Sequence, residues 1–118
     1  MNQNVKVTGL VLTPEIRSYL DRRMRKVEKM LAEDGAAVID VLLERTVSHD
    51  AGEQFRAEIM VTGSKLSLRC EATEATLHSA IDALEDVAVG ELRKVKGKKQ
   101  HLLRRQAKRI KDWLRFSR

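Results

Sequence analysis

Cysteine, proline and aromatic residues are scarce in this sequence, which has one cysteine, one proline, one tryptophan, one tyrosine and two phenylalanines among 118 residues. A single cysteine cannot form a disulfide within the chain, which is typical of proteins in a reducing compartment. With so few aromatic rings, the core must consist mainly of aliphatic side chains. The length predicts one domain, which can bury about two-thirds of its unfolded surface.

Long apolar segments are also absent, because no run approaches the roughly 20 residues that a membrane-spanning helix needs. The N-terminal stretch MNQNVKVTG lacks the charged region and the apolar block of a signal peptide. We therefore expect a soluble protein located in the cytoplasm and monomeric in isolation.

Positive charge is concentrated at the C-terminal end of the chain. Residues 93–118 contain 12 basic residues and one acidic residue, whereas residues 1–92 contain 11 basic and 16 acidic residues. A dense basic block attracts polyanions by releasing their counterions, and it also binds anionic lipid surfaces. The composition leaves open a solvated tail, a membrane-surface helix or a nucleic-acid contact.

A first helix is predicted after Thr13, which is a good N-cap and is followed by Pro14 at the favoured first helical position. Gly35 is predicted to end this helix in the left-handed conformation. The helix has one apolar stripe at steps of three and four residues, formed by Ile16, Leu20, Met24, Val27 and Leu31.

Four strands are predicted from alternating apolar and polar residues in NVKVTG, VIDVLLERTV, FRAEIMVT and KLSLRCEA. Gly63 and Ser64 predict a two-residue hairpin turn between the last two strands, with Gly63 at positive φ. Cys70 falls on the inward side of the last strand, which favours a core residue over a reactive thiol. The inward residues of the central strands are predicted as Ile39, Val41, Leu43, Val47, Phe55, Ala57, Ile59 and Val61.

A second helix is predicted to begin near Thr73 and to stop or kink near Gly97. Gly90 lies inside it, at a cost of ~1 kcal/mol relative to alanine. A weak boundary at this point predicts a domain of residues 1–98 and a basic amphipathic extension of residues 99–118. The buried stripe of the helix is predicted to contain Leu77, Ala80, Ile81, Leu84, Ala88, Leu92 and Val95.

The predicted order is therefore β-α-β-β-β-α, followed by the basic helical extension. Each helix has a single apolar stripe and needs a partner layer. We expect an α+β fold, a two-layer sandwich in which both helices cover one face of a four-stranded sheet and the other face is solvated.

Catalytic and metal-binding patterns are missing from the sequence. It has no glycine-rich phosphate loop and no CxxC motif, and His49, His78 and His101 have no second ligand at metal spacing. Asp82, Glu85 and the neighbouring Asp86 are interpreted as a solvated acidic patch. We predict a protein without enzymatic activity, cofactor, metal ion or small-molecule substrate.

Basic residues crowd the middle of the first helix and the end of the second. If the helices pack side by side, their outer faces form one platform that can contact the phosphates of folded RNA by charge and shape. The residues predicted to bind RNA are Arg22, Arg23, Arg25, Lys26, Lys29, Arg93, Lys94, Lys96, Lys98, Lys99, Arg104, Arg105 and Lys108.

The stretches LTPEIRSYLDRRMRKVEK (12–29), AEIMVTGSKLSLRCEA (57–72) and SAIDALEDVAVGELRKVKGK (79–98) carry a resemblance to a known family. In their order and spacing they resemble the ribosome hibernation-promoting factors, a family that includes the ribosome-associated inhibitor protein Y and was historically described as modulating sigma-54. The resemblance covers about residues 3–98.

This resemblance implies a fold similar to double-stranded RNA-binding domains. It also implies binding to rRNA and neighbouring proteins in the neck of the small ribosomal subunit, over the sites of mRNA and tRNA, in stationary phase or stress. The positions of the family that face rRNA fall on Arg23 and Lys26, with Lys29 nearby, and on Lys94 and Lys98, with Lys96 between them.

The chain departs from the family pattern at several points. Val87 and Gly90 stand where the family has cations, and His78 stands where an aromatic residue is common. A basic end replaces the acidic tail of inhibitor-type members, and there is no room for the dimerisation domain of the long forms, so the short form fits best. We expect the basic extension to compensate for the missing cations.

Two other functions remain open. A regulatory module that binds a sigma factor would need an exposed apolar patch. The extension, with Trp113 and Phe116, would suit an anionic membrane surface. We rank RNA contact above membrane binding, because the extension follows a helix expected to face rRNA.

Overall fold

The protein folds as a four-stranded sheet with two helices side by side on one of its faces. The computed structural model describes the backbone of residues 2–50 and 52–116, and the side chains of residues 3–50 and 52–97. The predicted order of elements and the α+β class are confirmed. The elements are β1 (Asn2–Thr8), α1 (Pro14–Met30), β2 (Val38–Ser48), β3 (Gly52–Thr62), β4 (Ser67–Glu74) and α2 (Leu77–Phe116).

The strands are arranged in the order β1-β2-β3-β4. β1 runs parallel to β2, with Val5 opposite Val41, and the other neighbouring pairs are antiparallel. Because side chains alternate between the faces of a strand, most apolar positions of the strands point to the helices, whereas Leu42 and Met60 lie on the other face. The residues buried on this face of the sheet are Ile39, Val41, Leu43, Ala57, Ile59, Val61 and Cys70.

The core between the sheet and the helices is almost wholly aliphatic, as the composition predicted. Leu20, Met24 and Val27 of α1 are fully buried in it, together with Leu84 and Leu92 of α2. Cys70 belongs to the same cluster, and burial raises the pKa of its thiol. This agrees with the prediction of a core residue.

The other face of the sheet carries a network of charged side chains centred on Arg56. Its guanidinium donates hydrogen bonds to Glu44 (3.2 Å), Glu71 (2.7 Å) and Glu58, and Arg69 also donates to Glu58. Burial raises the pKa of Glu58, but the hydrogen bonds and charges of the two arginines outweigh it and leave the pKa below its ordinary value. The positive charges on this face are thus largely paired with carboxylates of the same sheet.

Helix α1 begins as predicted and ends earlier than predicted. The Thr13 hydroxyl accepts a hydrogen bond from the backbone N–H of Ile16 at 3.2 Å, and Pro14 occupies the first turn. The helix ends at Met30, and the chain then makes tight turns over the next residues. Gly35 does not adopt positive φ, so its predicted role as a left-handed cap is wrong.

The turn between β3 and β4 also differs from the prediction. The connection has four residues, 63–66, and Gly63 does not adopt positive φ. The Asp34 carboxylate accepts hydrogen bonds from the backbone N–H and the hydroxyl of Ser64, both at 2.9 Å. A β-carbon on Gly63 would lie 2.3 Å from that carboxylate. The glycine is therefore required by a close contact with a distant loop rather than by a hairpin turn.

Helix α2 begins later and continues further than predicted. β4 extends to Glu74, and the Thr76 hydroxyl caps the helix by accepting from the backbone N–H of Ser79 at 3.1 Å. The helix passes through Gly97 without a break and ends at Phe116. The predicted start near Thr73 is wrong, because Thr73 still pairs within the sheet and Thr76 caps the helix. The predicted stop at Gly97 is also wrong, because helical hydrogen bonding continues past this residue.

Two predicted core positions are wrong. Val95, in the predicted stripe of α2, is only half-buried. Val47, near the end of β2, is 73% exposed. It lies opposite Glu53 at the end of the sheet where the antiparallel pair turns back. The alternation continues to this residue, but Val47 is not buried in the core.

Candidate nucleic-acid interface

The outer surface of α1 carries four cations that point away from the sheet. By helical periodicity, they lie on the side of α1 opposite its buried residues. All four are exposed, and none makes an ion pair with the side chains that the structure describes. We call this set the α1 cluster: Arg22, Arg25, Lys26 and Lys29.

A second set of cations lies on α2 beyond Leu92, the last fully buried residue among the described side chains of this helix. Arg93, Lys94 and Lys96 are exposed, and Lys94 is 3.2 Å from Glu91. We call these three residues the α2 cluster. The other predicted contacts lie outside the described side chains: Lys98, Lys99, Arg104, Arg105 and Lys108.

Arg23 is placed differently from the α1 cluster. Its Nε lies 2.9 Å from a carboxylate oxygen of Asp82, and another guanidinium nitrogen lies 3.5 Å from Glu85. The guanidinium also donates to the Tyr19 hydroxyl, which in turn donates to Asp82. Arg23 therefore bridges the two helices.

The ring of Tyr19 adds a contact across the same helix pair. It meets the ring of His78 edge to face, with centroids 4.6 Å apart. Successive turns of α1 thus contact successive turns of α2, so the helices run side by side in the same direction. We call this set the interhelix seam: Tyr19, Arg23, His78, Asp82 and Glu85.

The electrostatics of the interhelix seam favour a charged guanidinium. The hydrogen bond with Tyr19 raises the pKa of Arg23, and the charges of Asp82 and Glu85 act in the same direction. One carboxylate oxygen of Glu85 is buried and has no hydrogen-bond partner among the described residues. Arg23 is close enough to supply opposite charge there, although its geometry does not make a hydrogen bond.

The acidic residues of the interhelix seam were interpreted from the sequence as a solvated patch, and for two of them this is wrong. Asp82 and Glu85 are paired with α1, whereas Asp86 is exposed and makes no ion pair with the described side chains. The sequence contains a pattern that could have indicated this pairing. Tyr19 and Arg23 are spaced by four residues, and Asp82 and Glu85 by three, which suits facing surfaces of two helices.

The middle of α2 lacks cations on its outer surface. Val87 is 42% exposed, and a β-carbon on Gly90 would have no neighbouring atom within 4 Å. On α2, the neutral segment of residues 87–90 thus separates the interhelix seam from the α2 cluster.

The described residues form neither a metal site nor a membrane-spanning helix. No group of three or more His, Cys, Asp or Glu residues able to hold a metal ion occurs in the part of the chain that the structure describes. None of the described helices combines the length and apolar character that crossing a bilayer requires.

Comparison with known proteins agrees with the resemblance seen in the sequence. The family model described as sigma 54 modulation protein / S30EA ribosomal protein matches residues 3–100. The ribosome hibernation promotion factor of Bacillus subtilis (strain 168) is 24% identical over 106 residues, which are 90% of this chain and 54% of that protein. The chain therefore spans about half the length of this curated relative.

Solved structures share the fold. The N-terminal domain of Thermus thermophilus protein Y matches with a TM-score of 0.65 and 25% identity, over 80% of this chain and 99% of that domain. A ribosomal subunit interface protein from Coxiella burnetii matches with a TM-score of 0.69 over 82% of this chain and 99% of that one, and at 13% identity it supports the fold alone. The likeness to double-stranded RNA-binding domains stays a prediction. Because the family model covers most of its length, the chain belongs to the sigma 54 modulation protein / S30EA ribosomal protein family.

Proposed function

We propose that this protein is a non-enzymatic ribosome hibernation factor. It binds the small ribosomal subunit at the sites of mRNA and tRNA and blocks translation under stress or in stationary phase. It acts by occupancy, which requires a complementary surface and no reacting group. Its location is then the cytoplasm, where its partner is found.

The observation that carries this proposal is the unpaired charge of the α1 cluster. Most other described arginines, including Arg17, Arg45, Arg56 and Arg69, are paired with carboxylates. Four exposed cations without such partners on one helix surface are a ready binding site for phosphates. The name of the Bacillus subtilis relative supports a ribosomal target for this surface.

The outer surface of α2 extends the proposed interface. Because α2 is one continuous helix to Phe116, the spacing between positions predicts which side of the helix each one lies on, also beyond Leu92. Positions 93, 104, 108, 111 and 115 recur at multiples of three and four residues and fall on one side of the helix. All five are Arg or Lys in the sequence. We propose that residues 99–118 act as an extension that carries this basic side beyond the domain of residues 1–98 and along rRNA.

The alternative function, modulation of a sigma factor, is named in the description of the family. It would call for an apolar surface that a protein partner can cover. The exposed large apolar residues among the described side chains are Val11, Val47, Met60 and Val87, which lie on the connection after β1 and on three different elements. This distribution favours RNA over a protein partner.

Co-sedimentation with purified small subunits at increasing salt tests the proposal. We expect binding at low salt with a steep loss as salt rises, and competition with mRNA or initiator tRNA, because phosphate contacts release counterions. A chain that remains in the supernatant even at low salt would contradict the proposal. Recovery of RNA polymerase components without rRNA from a ribosome-depleted lysate would support the sigma-factor function instead.

Gly90→Lys is expected to tighten this binding. The position has room for a side chain, and lysine adds a cation where α2 has none. We expect the slope of log affinity against log salt to steepen by about 0.7–0.9, as for one added phosphate contact. The matched control is Gly90→Gln, which relieves the same ~1 kcal/mol helix penalty of glycine without adding charge. Equal affinities of the two variants at every salt concentration would place the middle of α2 outside the interface.

A further inference from the structure

The interhelix seam joins α1 to residues of α2 that precede the α2 cluster, and it contains a cation that sequence reasoning assigned to RNA. Arg23 has two carboxylates within 3.5 Å, so its charge is already compensated. A phosphate arriving there would compete with Asp82 and Glu85 and would also meet their negative charge. This differs from the α1 cluster, whose cations have no such partners among the described side chains.

We propose that Arg23 is a positioning residue and not a phosphate contact. Together with Tyr19 it binds α1 to Asp82 and Glu85, and this sets the separation of the α1 cluster from the α2 cluster. The inference rests on the proposed function, because it concerns how that interface is built. The RNA backbone then contacts the α1 cluster and the α2 cluster and not the seam itself.

Geometry supports a positioning role. The planar guanidinium of arginine offers several donors in a fixed arrangement, so one side chain can contact the Tyr19 hydroxyl and both carboxylates at once. The Tyr19 ring packs on His78 one turn before Asp82. Contacts at successive turns hold two helices in one register, whereas a single contact would still let them slide or rotate against each other.

The charge pattern also defines the class of target. Arg23 carries one positive charge against the two carboxylates that it contacts, so the interhelix seam has no excess positive charge to offer a phosphate. The two clusters lie on neighbouring helices, whose axes are typically about 8–10 Å apart, so a folded RNA that presents two separate stretches of backbone fits the arrangement.

Two alanine substitutions one turn apart on α2 separate positioning from simple charge. Asp86→Ala removes an exposed carboxylate with no described ion pair, and we expect it to tighten binding to small subunits by about two- to threefold through reduced repulsion. Asp82→Ala removes the same charge, yet we expect about tenfold weaker binding because the helices lose their register. Equal tightening by both variants would overturn the proposal.

Arg23→Lys provides a second comparison, against Arg45→Lys. Lysine keeps the charge but cannot make all three contacts of Arg23, so we expect about tenfold weaker binding with an unchanged salt slope. Arg45→Lys makes the same change at an exposed ion pair with Glu53 on the sheet, and its affinity should stay close to that of the unchanged protein. Retention of full affinity by Arg23→Lys would identify Arg23 as an ordinary phosphate contact.

Thermal unfolding of the free chain tests the interhelix contact without the ribosome. Arg23→Ala and Asp82→Ala should each lower Tm, and the double variant should lose less than the sum of the two, because both remove one interaction. Additive losses would overturn the proposed coupling. If the unchanged protein failed to bind small subunits but the coupling were present, the proposed function would fail while the contact between the helices stood.

Discussion

Reversing two charges of the α1 cluster, Arg22→Glu with Lys26→Glu, is expected to lower affinity for small ribosomal subunits by about 100-fold or more at physiological salt. Both residues are exposed, and neither is paired with a described carboxylate. Their replacement therefore removes two proposed phosphate contacts and adds repulsion without breaking an ion pair between described side chains, although Arg22 also lies 5.7 Å from the centroid of the Tyr19 ring. The salt slope should fall by at least about 1.4–1.8, which is the share of two contacts.

The matched control reverses two charges away from the helices, Lys6→Glu with Lys65→Glu. Lys6 lies on the sheet face opposite the helices, and Lys65 lies in the connection between β3 and β4. The net charge changes by the same amount in both double variants, so any difference reports where the charge lies. Binding should be measured by sedimentation or fluorescence anisotropy, with circular dichroism to confirm folding. Equal losses in the two variants would show that net charge alone drives binding.

Removal of residues 101–118 is expected to have a comparable effect. This segment contains seven of the basic residues and one acidic residue. If several of these residues contact phosphates, affinity at physiological salt should fall by about 100-fold and the salt slope by about 3 or more. The fold should persist with a nearly unchanged Tm, because the core cluster of the described residues ends at Leu92 on α2.

A second variant distinguishes the charge of the extension from its length. Replacing its seven basic residues by glutamine keeps the number of residues and a good helix-forming composition. Affinity close to that of the truncated chain would assign the effect to charge. If the glutamine variant bound like the unchanged protein, or if truncation had no effect, the extension would not contact rRNA. Retained binding of the separate extension to anionic vesicles would point to a membrane instead.

Sequence reasoning succeeded where structure follows from local periodicity. The alternation in β3 placed Ala57, Ile59 and Val61 in the core, and the stripe of α1 placed Leu20 and Met24 there. Such patterns are reliable because burying one face of an element is the main source of its stability. The family resemblance rests on the same stretches, through the order and spacing of their core positions and helix starts.

The errors occurred where a distant residue decides local structure. Asp34 comes from the connection after α1, yet it binds Ser64 and determines the turn between β3 and β4. Nothing near Gly63 in the sequence indicates that contact. The same applies to the start of α2, which is delayed because Thr73 pairs with Arg56 of β3.

The sequence by itself determined the order of the elements, the composition of the core and the presence of excess cations on two helices. These depend on side-chain type and on spacing within one element. Only the tertiary structure decided which cations are available, because that depends on what the neighbouring helix presents. Lys26 and Arg23 are both basic and both exposed, but Asp82 and Glu85 compensate the charge of Arg23, whereas no described carboxylate pairs with Lys26.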